Sequence, residues 1–85
     1  MAVSSKTFGR AVSTMRSAIL RRARRAGEVS PVDISNVARN VHGDVRGAAV
    51  CMAFNQLVVM GIIMPTEDTV YNPSTHHRVT VYEEA

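Results

Sequence analysis

The stretch SPVDISNVARNVHGDVRGAAVCMAFNQLVVMGIIM, residues 30–64, decides how the rest of the chain is interpreted. It opens on a helix-start signal, because Ser30 and Asp33 have the spacing of a capping box. Gly43 interrupts the helical pattern, since glycine takes a positive φ without steric cost. The pattern predicts two helices joined by a tight turn and followed by a strand. The predicted helices span about residues 31–41 and about residues 44–60.

The chain before this stretch predicts another helix, over about residues 5–26. Four apolar side chains recur there at intervals of four, three and four residues, which is the spacing of one helical face. Gly27 is well placed for the left-handed residue that follows a helix end. The four apolar side chains of that face are Phe8, Val12, Met15 and Ile19.

The chain after this stretch predicts a two-stranded hairpin over about residues 62–83. An apolar run begins it, and a polar, turn-rich segment over residues 65–75 is expected to form its loop. The returning strand over residues 76–83 alternates Val79 and Val81 with polar or aromatic neighbours. The whole chain is therefore expected to be mainly α with a small β-hairpin, built as one domain over residues 1–85.

Composition restricts the class of protein. The chain has 85 residues, of which 46% are hydrophobic and 20% charged, as in a globular domain rather than a disordered one. Cys51 is the single cysteine, so no intramolecular disulfide is expected. No apolar run approaches the length of a membrane span, and no signal peptide is predicted. We therefore expect a cytoplasmic protein without a membrane partner.

Charge is distributed unevenly along the chain. The segment 1–27 holds seven cations and no acid, which gives +7, whereas the remaining residues hold three arginines and seven acids, which gives −4. The two parts sum to the net charge of +3. A cationic segment of this kind is typical of a protein that binds a polyanion such as nucleic acid, and equally of a solvated helix face.

The order of elements and three local patterns resemble the winged-helix variant of the helix-turn-helix. The order is helix, short extended link, helix, turn, helix and hairpin. The apolar pattern around Val37 is similar to the first helix of the turn motif. The run LVVMGII at residues 57–63 is similar to the end of a recognition helix, and RVTVY at residues 78–82 is similar to the second wing strand. The resemblance implies a three-helix winged helix-turn-helix.

The resemblance implies a small DNA-binding protein that regulates transcription. In such proteins the third helix enters the major groove and the wing touches the backbone. Carried over by position, Arg46 and Gln56 would touch bases, whereas arginines of the first helix and polar residues near the turn and wing would hold phosphates. The expected DNA-binding residues are Arg21, Arg22, Arg24, Arg25, Arg39, Asn40, Arg46, Gln56, His77 and Arg78.

The third predicted helix supports a second hypothesis, that of a protein-interaction module. Every residue from 48 to 54 is apolar, and a helix that is apolar nearly all round is usually covered on more than one side. A chain of this length cannot surround such a helix, so either part of the segment departs from a helix, or the helix contacts a second subunit, as in a homodimer, or another protein. The expected interface residues are Ala49, Met52 and Ala53. An acidic wing tip, formed by Glu67 and Asp68, would also suit this hypothesis.

Patterns for catalysis or for a metal are weak. His76 and His77 are adjacent, and adjacent strand residues point to opposite faces, so they rarely hold one ion. Cys51 lies between Val50 and Met52, which favours a packing role over a nucleophilic one. No phosphate-binding glycine loop or nucleophile motif is found. We therefore predict a protein that is not an enzyme and carries no metal or other cofactor.

Overall fold

The structure is a computed structural model that describes residues 5–34, 37 and 43–85. The prediction of a mainly helical chain with a small hairpin is confirmed, and the bounds of the first and last helices agree with the expected ones to within one residue. In chain order the elements are α1 (Ser5–Ala26), a one-turn 3-10 helix η1 (Pro31–Ile34), α2 (Gly43–Val59), β1 (Ile63–Asn72) and β2 (His77–Glu84).

The prediction of a three-helix winged helix-turn-helix is wrong. The described residues form two α-helices, and the helix expected over about 31–41 is a single 3-10 turn where it is described. One half of the expected capping box is present, because the Ser30 amide donates to the Asp33 carboxylate over 2.7 Å. The following bonds have 3-10 spacing, however: the Asp33 amide donates to the Ser30 carbonyl, and the Val37 amide to the Ile34 carbonyl. β-branched residues there favour the α-helix poorly.

α1 forms because its apolar side chains share one face and its end is capped. Met15 and Ile19 on that face are fully buried, as the spacing predicts. Gly27 adopts φ 83°, and its amide donates to the Ala23 carbonyl over 2.9 Å. This single bond is the simple left-handed cap predicted for this glycine.

α2 ends in a Schellman motif that turns the chain into the hairpin. Gly61 adopts φ 73°, and its amide donates to the Val58 carbonyl over 3.0 Å. The Ile62 amide donates to the Leu57 carbonyl over 2.9 Å, which is the second bond of the motif. A Cβ at Gly61 would strain this turn, so the glycine fixes the direction in which β1 leaves the helix.

The hairpin is longer, and its loop shorter, than the sequence predicts. β1 and β2 pair antiparallel from Ile63↔Glu84 to Asn72↔His77, so the loop is only residues 73–76, and the loop expected over residues 65–75 is wrong. Some of the turn-forming residues lie instead in a bulge, in which residues 66–68 lie opposite Val81. The Thr66 hydroxyl donates to the Val81 carbonyl over 2.7 Å and holds the bulge.

The link after α1 attaches the hairpin to the helices. Val29 and Tyr82 exchange two backbone hydrogen bonds of 2.9 and 2.8 Å, so a one-residue bridge extends the sheet beyond β2. The Tyr82 ring also packs on Phe54 of α2, with 4.8 Å between ring centroids. The base of the hairpin is therefore held by α1's link and by α2.

The core lies between α1, α2 and the base of the hairpin. α1 contributes one apolar face and α2 another, and small side chains on both helices allow close approach. Val29 and Ile63 close the end next to the hairpin. The buried apolar residues are Ala11, Val12, Met15, Ile19, Ala23, Val29, Ile34, Ala49, Ala53, Phe54, Leu57, Ile63 and Val81.

Met15→Ala is expected to lower the free energy of unfolding by about 2–5 kcal/mol, because it removes a fully buried side chain and leaves a cavity. Met64→Ala is the matched control. Its side chain is 45% exposed, so the same truncation is expected to cost about 1 kcal/mol or less. Urea unfolding followed by circular dichroism measures both values. Equal losses in the two variants would contradict the core described above.

Candidate nucleic-acid interface

The face of α1 opposite the core carries five cations, two near its start and three near its end, and we call it the basic stripe. The 22 residues of α1 make a helix about 33 Å long. The core residues fall on one side of it, and the side chains of the stripe, on the opposite side, are all exposed. Hydroxyl groups lie between the cations, and the helix contains no acid. The stripe consists of Lys6, Arg10, Ser13, Thr14, Ser17, Arg21, Arg24 and Arg25.

The cations of the stripe are largely free of carboxylate partners. Arg24 Nε lies 2.9 Å from Glu84 Oε2, but both side chains are exposed, and such pairs contribute at most about 1 kcal/mol. Within the described residues, Arg10, Arg21 and Arg25 form no ion pair. Their charge is therefore available to an anionic partner. Arg21, Arg24 and Arg25 were predicted as DNA-binding residues, and the structure places all three on this surface.

Two other arginines of α1 are used inside the fold. Arg22 Nη2 lies 3.4 Å from Asp33 Oδ1 and ties η1 to α1, and its Nε is buried without a partner among the described residues. Arg16 Nη1 donates to Gln56 Oε1 and ties α1 to α2. Arg22 and Gln56 were both predicted to contact DNA. The structure holds them in contacts between elements, on the sides of their helices rather than on the basic stripe.

Arg46 lies on a different surface, in a groove between α2 and the hairpin. The groove has a volume of about 560 Å³, and its floor includes Phe54 and Tyr82. Its outer wall is the tip of the hairpin, including Asn72 and Ser74. Since the basic stripe is on the face of α1 turned away from α2, one flat partner cannot cover both. The predicted contact residues Arg39 and Asn40 lie outside the described residues.

The hairpin tip carries neutral and basic side chains. Asn72 organises it, because its Oδ1 accepts from the Ser74 amide over 3.0 Å and its carbonyl accepts from the His76 amide over 2.8 Å. His76 takes φ 59°, and its Nδ1 lies 2.9 Å from the Tyr71 hydroxyl. The acidic tip expected from the sequence is wrong. Glu67 and Asp68 lie in the bulge, several residues from the turn.

The remaining predicted wing residues follow the tip. His77 is exposed at the first pair of β2. Arg78 lies along the hairpin, where its Nε donates to the Thr69 hydroxyl over 2.7 Å and its Nη2 donates to the Thr69 carbonyl over 2.8 Å. Those predicted DNA-binding residues that the structure describes therefore fall on separate surfaces, and among them only those of α1 form a group with several cations that have no ion-pair partner.

Among the described side chains of residues 45–60, those on the outward side of α2 are uncharged, and we call this surface the uncharged face. Met52 is 43% exposed and Val59 is 86% exposed, although both are apolar. Met60, just past the helix end, is 63% exposed. This is an unusual concentration of exposed apolar side chains for a chain this small. The uncharged face consists of Gly47, Ala48, Cys51, Met52, Asn55, Val59 and Met60.

Two of the three predicted interface residues are wrong. Ala49 and Ala53 are completely buried, because α1 packs directly against them. Only Met52 of the predicted set is exposed. The error has a physical cause: every residue from 48 to 54 is apolar, so the sequence gives no phase for the helix, and the buried side could not be identified from the apolar pattern.

No arrangement typical of a metal site or a membrane span is found in the described part of the chain. No three histidine, cysteine or acidic side chains come together there. Neither α1 nor α2 combines the length and the apolar character that crossing a bilayer requires. Comparison of the chain with protein families, curated proteins and solved structures finds no match.

Proposed function

We propose that the protein binds double-stranded DNA through phosphate contacts of the basic stripe. The observation that carries the proposal is a 22-residue helix whose solvent face holds five cations and three hydroxyl side chains and no acid. Lysine, arginine, serine and threonine are the side chains that commonly contact phosphate oxygens. Their spread along α1 suits an extended polyanion better than a small anion.

The proposal favours binding with little sequence preference. Gln56, which the sequence analysis assigned to base contacts, is hydrogen-bonded to Arg16. Base recognition requires side chains that reach base edges in a groove, and the exposed stripe offers its cations to the backbone first. The role in transcription regulation stays a prediction.

The expected binding is strongly salt-dependent. Five phosphate contacts give a slope of about −4.5 in a plot of log affinity against log salt, and a loss of roughly five hundredfold in affinity between about 50 and 200 mM salt. Fluorescence anisotropy with two duplexes of unrelated sequence measures this slope. Similar slopes and affinities for both duplexes are expected. A slope near zero would contradict phosphate binding, and a large difference between the duplexes would contradict its low specificity.

A second candidate function, recognition of a polypeptide through α2, is favoured by the uncharged face. Exposed apolar surface of this kind marks protein contacts. The two functions use opposite sides of the helical layer, so one does not exclude the other.

A further inference from the structure

We propose that the uncharged face of α2 binds the same face of a second copy of this chain, with the two helices antiparallel. The proposal does not depend on DNA binding. It rests on the distribution of side-chain size along α2, on the charge of the two faces of the helical layer, and on a hollow beside the second half of the face.

Side-chain size differs between the two ends of the uncharged face. The first end has Gly47 and Ala48, and both are exposed. A Cβ added at Gly47 would meet no atom within 4 Å, so the surface above it is open. The other end has Val59 and Met60, which project into solvent. The face therefore carries small side chains at its first end and large, exposed side chains at its second end.

An antiparallel pair matches these two ends. A two-fold axis level with residues 53 and 54 places Val59 of the second copy over Ala48, because these two positions lie within about 20° of each other around the helix. Because the axis is two-fold, the same contacts form again at the other end of the pair. Large side chains then fill the space above small ones, which is how closely packed helices fit. A parallel pair would place the two ends with large side chains against each other.

A hollow lies beside the second half of the uncharged face, on the side towards α1. It has a volume of about 430 Å³ and is lined by Met52, Asn55, Val59 and Met60 of the face and by Arg16 and Gln56. The antiparallel register places Met52 of the second copy over Asn55, at the edge of this hollow. Methionine fills irregular gaps well because its side chain is unbranched and flexible.

Charge favours this face over the basic stripe as the contact with a second copy. Each chain carries +3, so two copies repel unless their cationic surfaces are kept apart. The basic stripe is on the side of α1 turned away from α2. Pairing through α2 therefore places the two stripes on opposite outer sides of the dimer. Arg16 borders the contact at the hollow, where its guanidinium donates to Gln56.

The hairpin offers a poorer surface for pairing. The outer edge of β1 carries Pro65, which lacks an amide hydrogen, and the bulge with Glu67 and Asp68. Proline, bulges and charges of this kind prevent strands from pairing edge to edge. This leaves α2 as the preferred site among the described elements.

Light scattering during size-exclusion chromatography, repeated at increasing protein concentration, tests the proposal. The unmodified chain is expected to approach twice its mass of 9.3 kDa. Ala48→Glu places a carboxylate against Val59 of the second copy, so the dissociation constant of the dimer is expected to rise at least about tenfold. Adding Val59→Lys to Ala48→Glu gives each carboxylate an opposite charge in the second copy, and the dimer is expected to return.

Ser13→Glu is the control, since it adds the same charge to the exposed side of α1 and is expected to leave the dimer unchanged. Circular dichroism of every variant shows whether the fold is kept. A mass of 9.3 kDa for the unmodified chain at all concentrations would overturn the proposal, and so would a folded Ala48→Glu variant that dimerises normally. A double variant that stays monomeric would overturn the antiparallel register.

Discussion

Reversing the charge of Arg10 and Arg21 together is expected to reduce the affinity for duplex DNA by about a hundredfold or more at moderate salt. Both residues are on the basic stripe, and neither has an ion-pair partner among the described residues. Each lost phosphate contact lowers the salt slope by about one, so the slope is expected to fall from about −4.5 to about −2.7. Anisotropy titrations at several salt concentrations measure both quantities.

Arg46→Glu combined with Arg78→Glu is the matched control. Both double variants change the net charge by four units, from +3 to −1, so they differ only in where the charge is lost. The control removes the cations of the groove and the hairpin, which the resemblance to winged helices assigned to DNA. It is expected to bind more weakly because of its lower net charge, but to keep most of its salt slope.

The comparison separates two surfaces. If the control loses slope and the stripe variant does not, DNA binds along α2 and the hairpin, and the stripe is only a solvated face. Equal losses would indicate that net charge alone determines binding. Circular dichroism checks the fold of both variants, because Arg78→Glu also removes two hydrogen bonds to Thr69 in the hairpin.

Local signals in the sequence were sufficient for much of this fold. The bounds of α1 and α2 follow from apolar spacing and from Gly27 and Gly61, which take the positive φ that ends each helix. The capping box at Ser30 was also predicted, and the carboxylate of Asp33 does accept from the Ser30 amide. Each of these features depends on residues only a few positions apart, so the sequence contains the information directly.

Other features depend on contacts between distant residues. A capping box starts a 3-10 turn as well as an α-helix, so it could not establish that η1 ends at Ile34. β1 is long because it pairs with β2 on both sides of a bulge. The turn-forming residues within 65–75 predict a loop there, so the sequence did not indicate this pairing. The phase of α2 depends on where α1 packs. Tertiary contacts therefore decided each of these points.

The candidate site was predictable in part. Arg21, Arg24 and Arg25 could be placed outside the apolar face of α1 from spacing alone. Lys6 and Arg10 have the same spacing and belong to that surface, although they were not among the predicted DNA-binding residues. The hydrogen bond from Arg16 to Gln56 joins residues 40 positions apart, and no local pattern predicts it.

The protein is expected to bridge two DNA duplexes. This prediction combines the basic stripe with the antiparallel dimer of α2. In that dimer the two stripes face away from each other, on opposite outer sides of a layer of four helices. A single straight duplex then touches one stripe, and the second stripe is free to bind another duplex. This differs from dimers that place two reading helices on neighbouring half-sites of one duplex.

A bead assay measures bridging. A biotinylated duplex is fixed to beads, the protein is added, and the retention of a second, fluorescent duplex is recorded. The unmodified chain is expected to retain the label, whereas Ala48→Glu is expected to bind the fixed duplex and retain little. Ala48→Glu with Val59→Lys is expected to restore retention. Arg10→Glu with Arg21→Glu is expected to abolish retention, because binding to the fixed duplex is itself lost.

The results distinguish a wrong interface from a wrong orientation. If the unmodified chain forms a dimer and binds DNA but retains no second duplex, the two stripes lie on the same side, and the antiparallel arrangement is incorrect. If Ala48→Glu retains the label as well as the unmodified chain does, bridging comes from non-specific association of protein on DNA and not from α2. Retention that requires both the stripe and a paired α2 is expected only when DNA and the second copy occupy opposite faces.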